Sequence, residues 1–487
     1  MEFFEPTKNK IFFGNSNKLE SWSKEVSDQS KIIDKVRLML KNYLELDNVS
    51  FLFGSGTSIH LGAVSIRNFP LEVEQYIKTK EAEINGLHDY FLSIVKELQG
   101  KELAEGKAKL IPETNQFTNE RGWEFIIEDD IVRDDSSKEI ITEYEKILNY
   151  LIAKDFIESE KNIVPRTDLI GELINTIKEG LFEVCNLEKR SVSQTSIDNK
   201  KKSQFENDKQ QAELLEKNSK YIFHEKFLKA LLQRPLNLRR ANIFTANYDL
   251  AFEYAFDKLG IHYIDGFAGF HKRFFRPETF DYDIFYPGST TSGKIQRIEK
   301  VVRYFKLHGS LSWINSEKRD ATNLYGIEEK SIELIDSLSK KGEIIIYPSA
   351  VKKSYTLDFP YSELFRQFAT TINQSQSVLV TVGYSFGDEH FNDIIYQALS
   401  NPTFTLIIID FKGTANNYIE NIKNLNDPRI IILEGEFFGD FLTFSDTLMP
   451  DFINNDNYNR VANTLNELFN KTTDNVIPQE HNLNKEG

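Results

Sequence analysis

The stretch Val49-Ser50-Phe51-Leu52-Phe53-Gly54-Ser55-Gly56-Thr57-Ser58 decides the fold. Its first half is a short run of apolar, aromatic and β-branched residues, which reads as a buried strand. The strand stops in a turn with two glycines. Such a turn has two readings. One is a plain tight turn. The other is a phosphate cradle, in which missing Cβ atoms let pyrophosphate oxygens reach backbone N–H groups and the start of a following helix adds partial positive charge. Ile59 stands where a dinucleotide fingerprint has its third glycine, so the turn alone leaves both readings open.

Further along the chain the pattern recurs. From residue 241, apolar strands at 242–245, 262–264, 304–307, 344–347, 377–382, 406–409 and 430–433 alternate with helical runs at 250–259, 361–372 and 391–399. Continuous apolar strands alternating with helices imply a parallel sheet covered on both faces. Between the first strand and residue 241 the chain reads mostly as helix, with amphipathic runs around 92–98, 141–157 and 169–182. The expected fold is therefore α/β, a Rossmann-like parallel sheet interrupted by a large, mainly helical insertion. Residues 1–48 form an N-terminal arm with a helix at 31–46. Residues 49–70 and 241–445 form the sheet domain, and 71–240 the insertion. Residues 446–487 supply a C-terminal helix at 455–471 and a disordered tail. No internal repeat is evident.

Composition narrows the function. The 487 residues carry a net charge of −15, which argues against direct nucleic-acid binding. The charged stretch 188–218, with Lys200-Lys201-Lys202, reads as an exposed linker or solvated helix. One cysteine, Cys185, excludes an intrachain disulfide and a cysteine-built zinc site. Its setting, Leu181-Phe182-Glu183-Val184-Cys185, suits a small buried apolar residue. The N-terminus lacks the pattern of a signal peptide, and no apolar run approaches the ~20 residues of a membrane span. A cytoplasmic protein is expected.

Three further segments follow strands. Thr245-Ala246-Asn247-Tyr248-Asp249 puts polar groups at the carboxyl edge of the sheet, where α/β proteins bind ligands, although Asn247 or Asp249 would also serve as a helix cap. Lys306-Leu307-His308-Gly309-Ser310 sets a histidine straight after a strand, able to project into a pocket or to serve a structural role. Gly383-Tyr384-Ser385-Phe386-Gly387-Asp388 is a second glycine turn after a strand. Asp410 ends the next strand, where a carboxylate can accept hydrogen bonds from a ribose.

Taken in order, these segments resemble the sirtuins. Gly54, Gly56, Ser58, Gly62 and Arg67 match, without gaps, the family's glycine-rich cofactor loop; Ala63 to Ile66 depart from it, and Ser65 stands where the family carries an acid. Thr245 to Asp249 resembles the family's Thr-Gln-Asn-Ile-Asp motif, Leu307-His308-Gly309 its catalytic-histidine segment, and Gly383 to Ser385 its Gly-Thr-Ser turn. The extended form through Asp388, Glu389, His390, Phe391 and Asn392 is more like bacterial sirtuin-like defence proteins. The resemblance covers about 50–90 and 240–440. It implies that NAD is bound by Gly54, Gly56, Thr57, Ser58, Arg67, Thr245, Asp249, Gly383, Ser385 and Asp410. Asn247 would orient water or the ribose, Asp249 would hold the nicotinamide amide, and His308 would act as base.

Sirtuin deacylases normally carry a four-cysteine zinc module that helps form the acyl-lysine groove. A chain with one cysteine cannot build it, so hydrolysis of NAD to nicotinamide and ADP-ribose is the favoured expectation, with no zinc or other metal required. A protein deacylase or ADP-ribosyl transferase, and a non-enzymatic NAD-binding subunit, are the alternatives. The resemblance further implies an NAD-depleting antiviral effector, similar to the sirtuin-like subunit paired with a HerA-type ATPase and to effectors of the Thoeris type. The Thoeris type needs a ligand-sensing domain for which 441–487 is too short. Control by a partner protein, and a homo-oligomer, are therefore expected.

Two other segments imitate functional motifs. Gly288-Ser289-Thr290-Thr291-Ser292-Gly293-Lys294 imitates a P-loop, but Ile295 occupies the position of the magnesium-binding hydroxyl, and the next residues read as strand rather than helix. The acids Glu128, Asp129, Asp130, Asp134 and Asp135 lack ligand spacing and read as a solvated face.

Overall fold

The computed structural model describes residues 3–25, 28–64, 69–104, 110–112, 138–140, 144–160, 169–190, 219–286, 297–316, 319–338 and 359–450. The expected strand at 344–347, the helix at 455–471, the loop at 288–294, the acids between 128 and 135, and Arg67 lie outside these residues.

The described strands, in chain order, are β1 (Asn9–Phe13), β2 (Ser16–Asn17), β3 (Asn48–Phe53), β4 (Leu110–Pro112), β5 (Lys138–Ile140), β6 (Asn242–Thr245), β7 (His262–Ile264), β8 (Phe267–Ala268), β9 (Arg273–Phe275), β10 (Val301–Lys306), β11 (Trp313–Asn315), β12 (Ile327–Glu329), β13 (Ser377–Val382), β14 (Thr405–Asp410) and β15 (Ile430–Gly435). The main sheet has nine strands in the order β2-β1-β15-β14-β13-β3-β6-β10-β7. Every pairing from β15 to β7 is parallel. β1 joins antiparallel to β15, so the N-terminal stretch read as an arm also extends the sheet.

The apolar strands explain the layering. Side chains alternate between faces along a strand. Val49, Phe51, Phe53, Val378, Val380, Val382, Ile407 and Ile409 enter one core, whereas Leu52, Leu379, Leu406 and Ile408 enter the other. Helices Gln29–Leu44, Ile222–Leu231 and Ala251–Leu259 supply apolar residues to the first core. Tyr361–Ile372, Glu389–Leu399 and Asn417–Asn424 supply them to the second. This is a Rossmann-like α/β sheet, as the strand pattern implied.

The region between β3 and β6 contains helices Phe69–Lys80, Leu87–Ala104, Tyr144–Glu160 and Leu169–Cys185. Together they bury a third core that also takes in Leu311, Ile314, Ile332 and Ile335 and is flanked by Tyr248 and Leu250. The helical layer thus rests on the segments that leave β6 and β10, next to Asn247 and His308. Ile222–Leu231, near the end of the same interval, instead packs under the sheet.

Candidate functional site at the carboxyl edge of the sheet

β3 is the central strand of the parallel run, with β6 on one side and β13 on the other. The chain leaves β3 toward β6 and β10 and later returns to β13, so the order reverses beside β3. Crevices at such switch points are the usual ligand sites of open α/β sheets. Here the loops after β3 and β13 meet backbone to backbone. Gly54 N–H donates to Val382 O at 3.0 Å, and Gly56 N–H to Gly383 O at 3.0 Å. A Cβ on Gly54 would lie 2.5 Å from Gly383 O, and one on Gly56 would lie 2.7 Å from Gly383 Cα. Gly383 itself has φ +59°, in the left-handed region.

This geometry bears on the two readings of the glycine turn. Its amides are largely engaged within the protein, since Thr57 N–H donates to Gly54 O and Ser58 N–H to Ser55 O, both at 3.1 Å. No α-helix follows directly. Two 3-10 turns, Ser55–Thr57 and Ile59–Leu61, end at Gly62 with φ +89°, and the next described α-helix is Phe69–Lys80. The glycines permit the contact between loops rather than presenting a row of free donors.

Asn247 follows β6 and ties its own loop to the loop after β3. Its Nδ2 donates to Gly54 O at 3.0 Å and approaches Thr57 Oγ1 and Ser58 Oγ, each at 3.3 Å. Thr245 Oγ1 accepts from Asn247 N–H at 3.0 Å and donates to Phe53 O at 3.3 Å. Asp249 is buried, and its Oδ1 accepts from Ala251 N–H at 3.1 Å, just before Ala251–Leu259. Burial raises its carboxyl pKa; Lys306, the Ala251 amide and the Ser58 hydroxyl oppose the rise.

His308 follows β10. Gly309, at φ +89°, allows the chain to turn there. The imidazole stacks on Phe391 with ring centres 4.9 Å apart and lies 6.2 Å from Tyr248. Its Nε2 is 3.0 Å from Asp388 Oδ2, with 12% and 7% of the side chains exposed, so both groups are largely withdrawn from solvent. Asp388 also caps Glu389–Leu399, accepting from His390 N–H at 3.2 Å. The sequence showed Asp388 only as part of a motif. An aspartate before a helical run reads as a cap, which hid its second partner.

Ser385 is exposed at this edge, and its carbonyl accepts from Asn416 Nδ2 at 2.5 Å. Phe386 has φ +55°, uncommon for a bulky residue, and is held by full burial of its ring and by Asn392 Nδ2 donating to its carbonyl at 2.7 Å. Asp410 ends β14. Its Oδ1 accepts from Lys412 and Gly413 N–H at 2.9 and 2.7 Å, and burial raises its pKa. Gly54, Gly56, Thr57, Ser58, Thr245, Asn247, Asp249, His308, Gly383, Ser385 and Asp410 therefore all follow or end strands at one edge of five neighbouring strands. Their hydroxyls, amide, imidazole and carboxylates are groups able to donate or accept hydrogen bonds.

A buried network underlies the site. Lys306 Nζ donates to Glu253 Oε1 at 2.8 Å and to Asp249 O, and Tyr304 OH donates to Glu253 Oε2 at 3.0 Å. Among the described residues, no group of three or more His, Cys, Asp or Glu is placed to hold a metal ion, and no helix is long and apolar enough to cross a membrane.

Residues 241–404 match a family of known proteins described as SIR2-like domain. The match spans about a third of the chain and includes Asn247, Asp249, His308, Gly383 and Ser385. The Gly54–Ser58 turn and Asp410 lie outside it. No curated protein matches the chain. A SIR2-like domain makes the chain sirtuin-like over these residues and implies the use of NAD.

Proposed function

We propose that the protein hydrolyses NAD at this edge, giving nicotinamide and ADP-ribose. One observation carries the reading: Asn247 and His308 stand at the ends of the neighbouring parallel strands β6 and β10, beside the loop contact at the switch point. In the reaction the bond between the ribose anomeric carbon and the nicotinamide nitrogen breaks. Its electron pair returns to the pyridinium ring, which leaves neutral. A water oxygen bonds to the anomeric carbon, and the proton it loses passes to a base and then to solvent. Asn247 orients the water or the ribose, His308 is the base, and Asp249 holds the nicotinamide amide. Thr57, Ser58, Ser385 and Asp410 supply polar contacts to the rest of the dinucleotide.

The biological role in this reading is a cytoplasmic, NAD-depleting effector of bacterial antiviral defence. Such an activity must be restrained at rest, so assembly into a homo-oligomer and control by a partner such as a HerA-type ATPase belong to it. The test is incubation of the full chain with NAD, alone and with such an ATPase, followed by chromatography. Nicotinamide and ADP-ribose formed without an acyl-lysine acceptor support the reading. NAD left intact in both mixtures overturns it.

A further inference from the structure

His308 is held from several sides. Phe391 stacks on the imidazole with an interplanar angle of 21°, and Tyr248 lies tilted at 33°. These rings fix its plane but not its protonation. Asp388 does the rest, because its Oδ2 lies 3.0 Å from Nε2. A neutral imidazole carries one N–H and one lone pair, and an ionised carboxylate only accepts. A proton on Nε2 satisfies both groups, whereas a lone pair there would face a carboxylate oxygen at hydrogen-bond distance.

We propose that Asp388 is a positioning residue that holds His308 as the Nε2–H tautomer and so makes Nδ1 the basic nitrogen of the site. The inference rests on the hydrolase reading for its consequence in turnover, but not for the tautomer itself. Asp388 is fixed independently of any substrate: it is buried, it caps Glu389–Leu399, and its carbonyl accepts from Tyr384 OH at 3.3 Å. One carboxylate thereby couples the turn after β13 to the histidine after β10. The Gly383–Asp388 turn then acts on the chemistry as well as on ligand contact.

The substitution that isolates this role is Asp388→Asn. Asparagine caps helices about as well as aspartate, so the helix start is kept. Its amide can accept from Nε2–H or donate to a bare Nε2, so the tautomer is no longer enforced. Asp28→Asn makes the same change at the cap of Gln29–Leu44 and is the control. In the full chain labelled with 15N-histidine, the His308 signals are assigned by their loss in His308→Gln and read in alkaline buffer, where a model imidazole is neutral. We expect a protonated Nε2 and a bare Nδ1 in the unsubstituted protein, and a mixed or reversed pattern in Asp388→Asn. In turnover, kcat should fall about 100-fold or more with KM for NAD changed less than about threefold, while Asp28→Asn matches the unsubstituted protein. A proton on Nδ1 in the unsubstituted protein overturns the proposal, and this spectrum needs neither turnover nor a folded Asp388→Asn. An unchanged tautomer in Asp388→Asn also overturns it, whatever happens to kcat. If the chain leaves NAD intact while the spectrum shows the Nε2–H form, the hydrolase reading fails and the positioning role stands.

Discussion

Gly56 donates its backbone N–H to the carbonyl of Gly383 at 3.0 Å, across the point where the strand order of the sheet reverses. Neither residue tolerates a Cβ there. One on Gly383 would lie 2.8 Å from Gly56 Cα and 3.0 Å from Thr57 N, and one on Gly56 would lie 2.7 Å from Gly383 Cα. All these neighbours are backbone, so no side chain can swing aside.

Gly383→Ala combines this clash with a left-handed φ of +59°. It should destabilise the protein by about 2–5 kcal/mol, the sum of overpacking and backbone strain. Gly260→Ala makes a suitable comparison, because Gly260 has a similar φ of +62° but, among the described residues, nothing within 4 Å of its added Cβ. It should lose only the strain contribution, about 1–2 kcal/mol. Denaturant midpoints of the two variants decide the matter; equal losses would mean that the contact between the loops is not tight.

Asn247→Asp keeps the side-chain shape but replaces the Nδ2 donor with an acceptor. Gly54 O, at 3.0 Å, would then face a carboxylate oxygen. The cradle after β3 loses its tie, and turnover of NAD should fall by about 100-fold or more. Loss of one hydrogen bond and the facing of two acceptors should cost about 1–3 kcal/mol of stability. Asn247→Ala should lose similar activity with less destabilisation, because it removes the donor without adding a repulsive acceptor. Normal turnover in both variants would remove Asn247 from the chemistry.

The parallel strands were legible because burial on both faces leaves near-continuous apolar runs such as Ser377–Val382 and Ile430–Gly435. β1 was not. Asn9–Phe13 is short, mixed in polarity and half-committed to the core, and its pairing with β15 is set some 420 residues away in sequence. The same distinction holds at the site. Asn247 and His308 could be marked because each follows an apolar strand within a segment that resembles a sirtuin motif. The contact of Gly56 with Gly383, and of His308 with Asp388, depends on which loops become neighbours, and spacing along the chain does not encode that.

Lys306 offers a test of the layer beneath the site. It is 3% exposed, and its ammonium bridges Glu253 and the carbonyl of Asp249. Lys306→Met leaves Glu253 buried, with Tyr304 still donating to it. Removing one partner of a buried pair typically costs about 3–5 kcal/mol. The double variant Lys306→Met/Glu253→Gln should recover part of that loss, since Glu253 is then uncharged and only Asp249 is left without the nearby ammonium. A double variant as unstable as the single one would show that packing, not charge, set the cost. Calorimetry at neutral pH distinguishes these outcomes.

The pH dependence of stability should carry the mark of His224. Its side chain is fully buried among Phe252, Phe441 and His60, and neither ring nitrogen has a hydrogen-bond partner among the described residues. Burial, and then the neighbouring His60, hold its pKa well below the ordinary histidine value of 6.5. The folded protein therefore keeps His224 neutral while the unfolded chain takes up a proton. The associated stability is fully present above pH ~6.5 and is lost as pH falls from there toward the depressed folded value, at up to about 1.4 kcal/mol per pH unit. His224→Phe fits the aromatic surroundings and deletes that proton. Denaturant midpoints between pH ~7 and ~5 should fall less steeply for His224→Phe by about one proton's worth of slope, whatever the absolute stability of the variant. Other titrating groups act on both proteins, so the difference in slope reports His224, together with any shift its loss causes in His60. Parallel curves would mean that His224 accepts its proton in the folded state, and that the aromatic cluster admits more water than its burial implies.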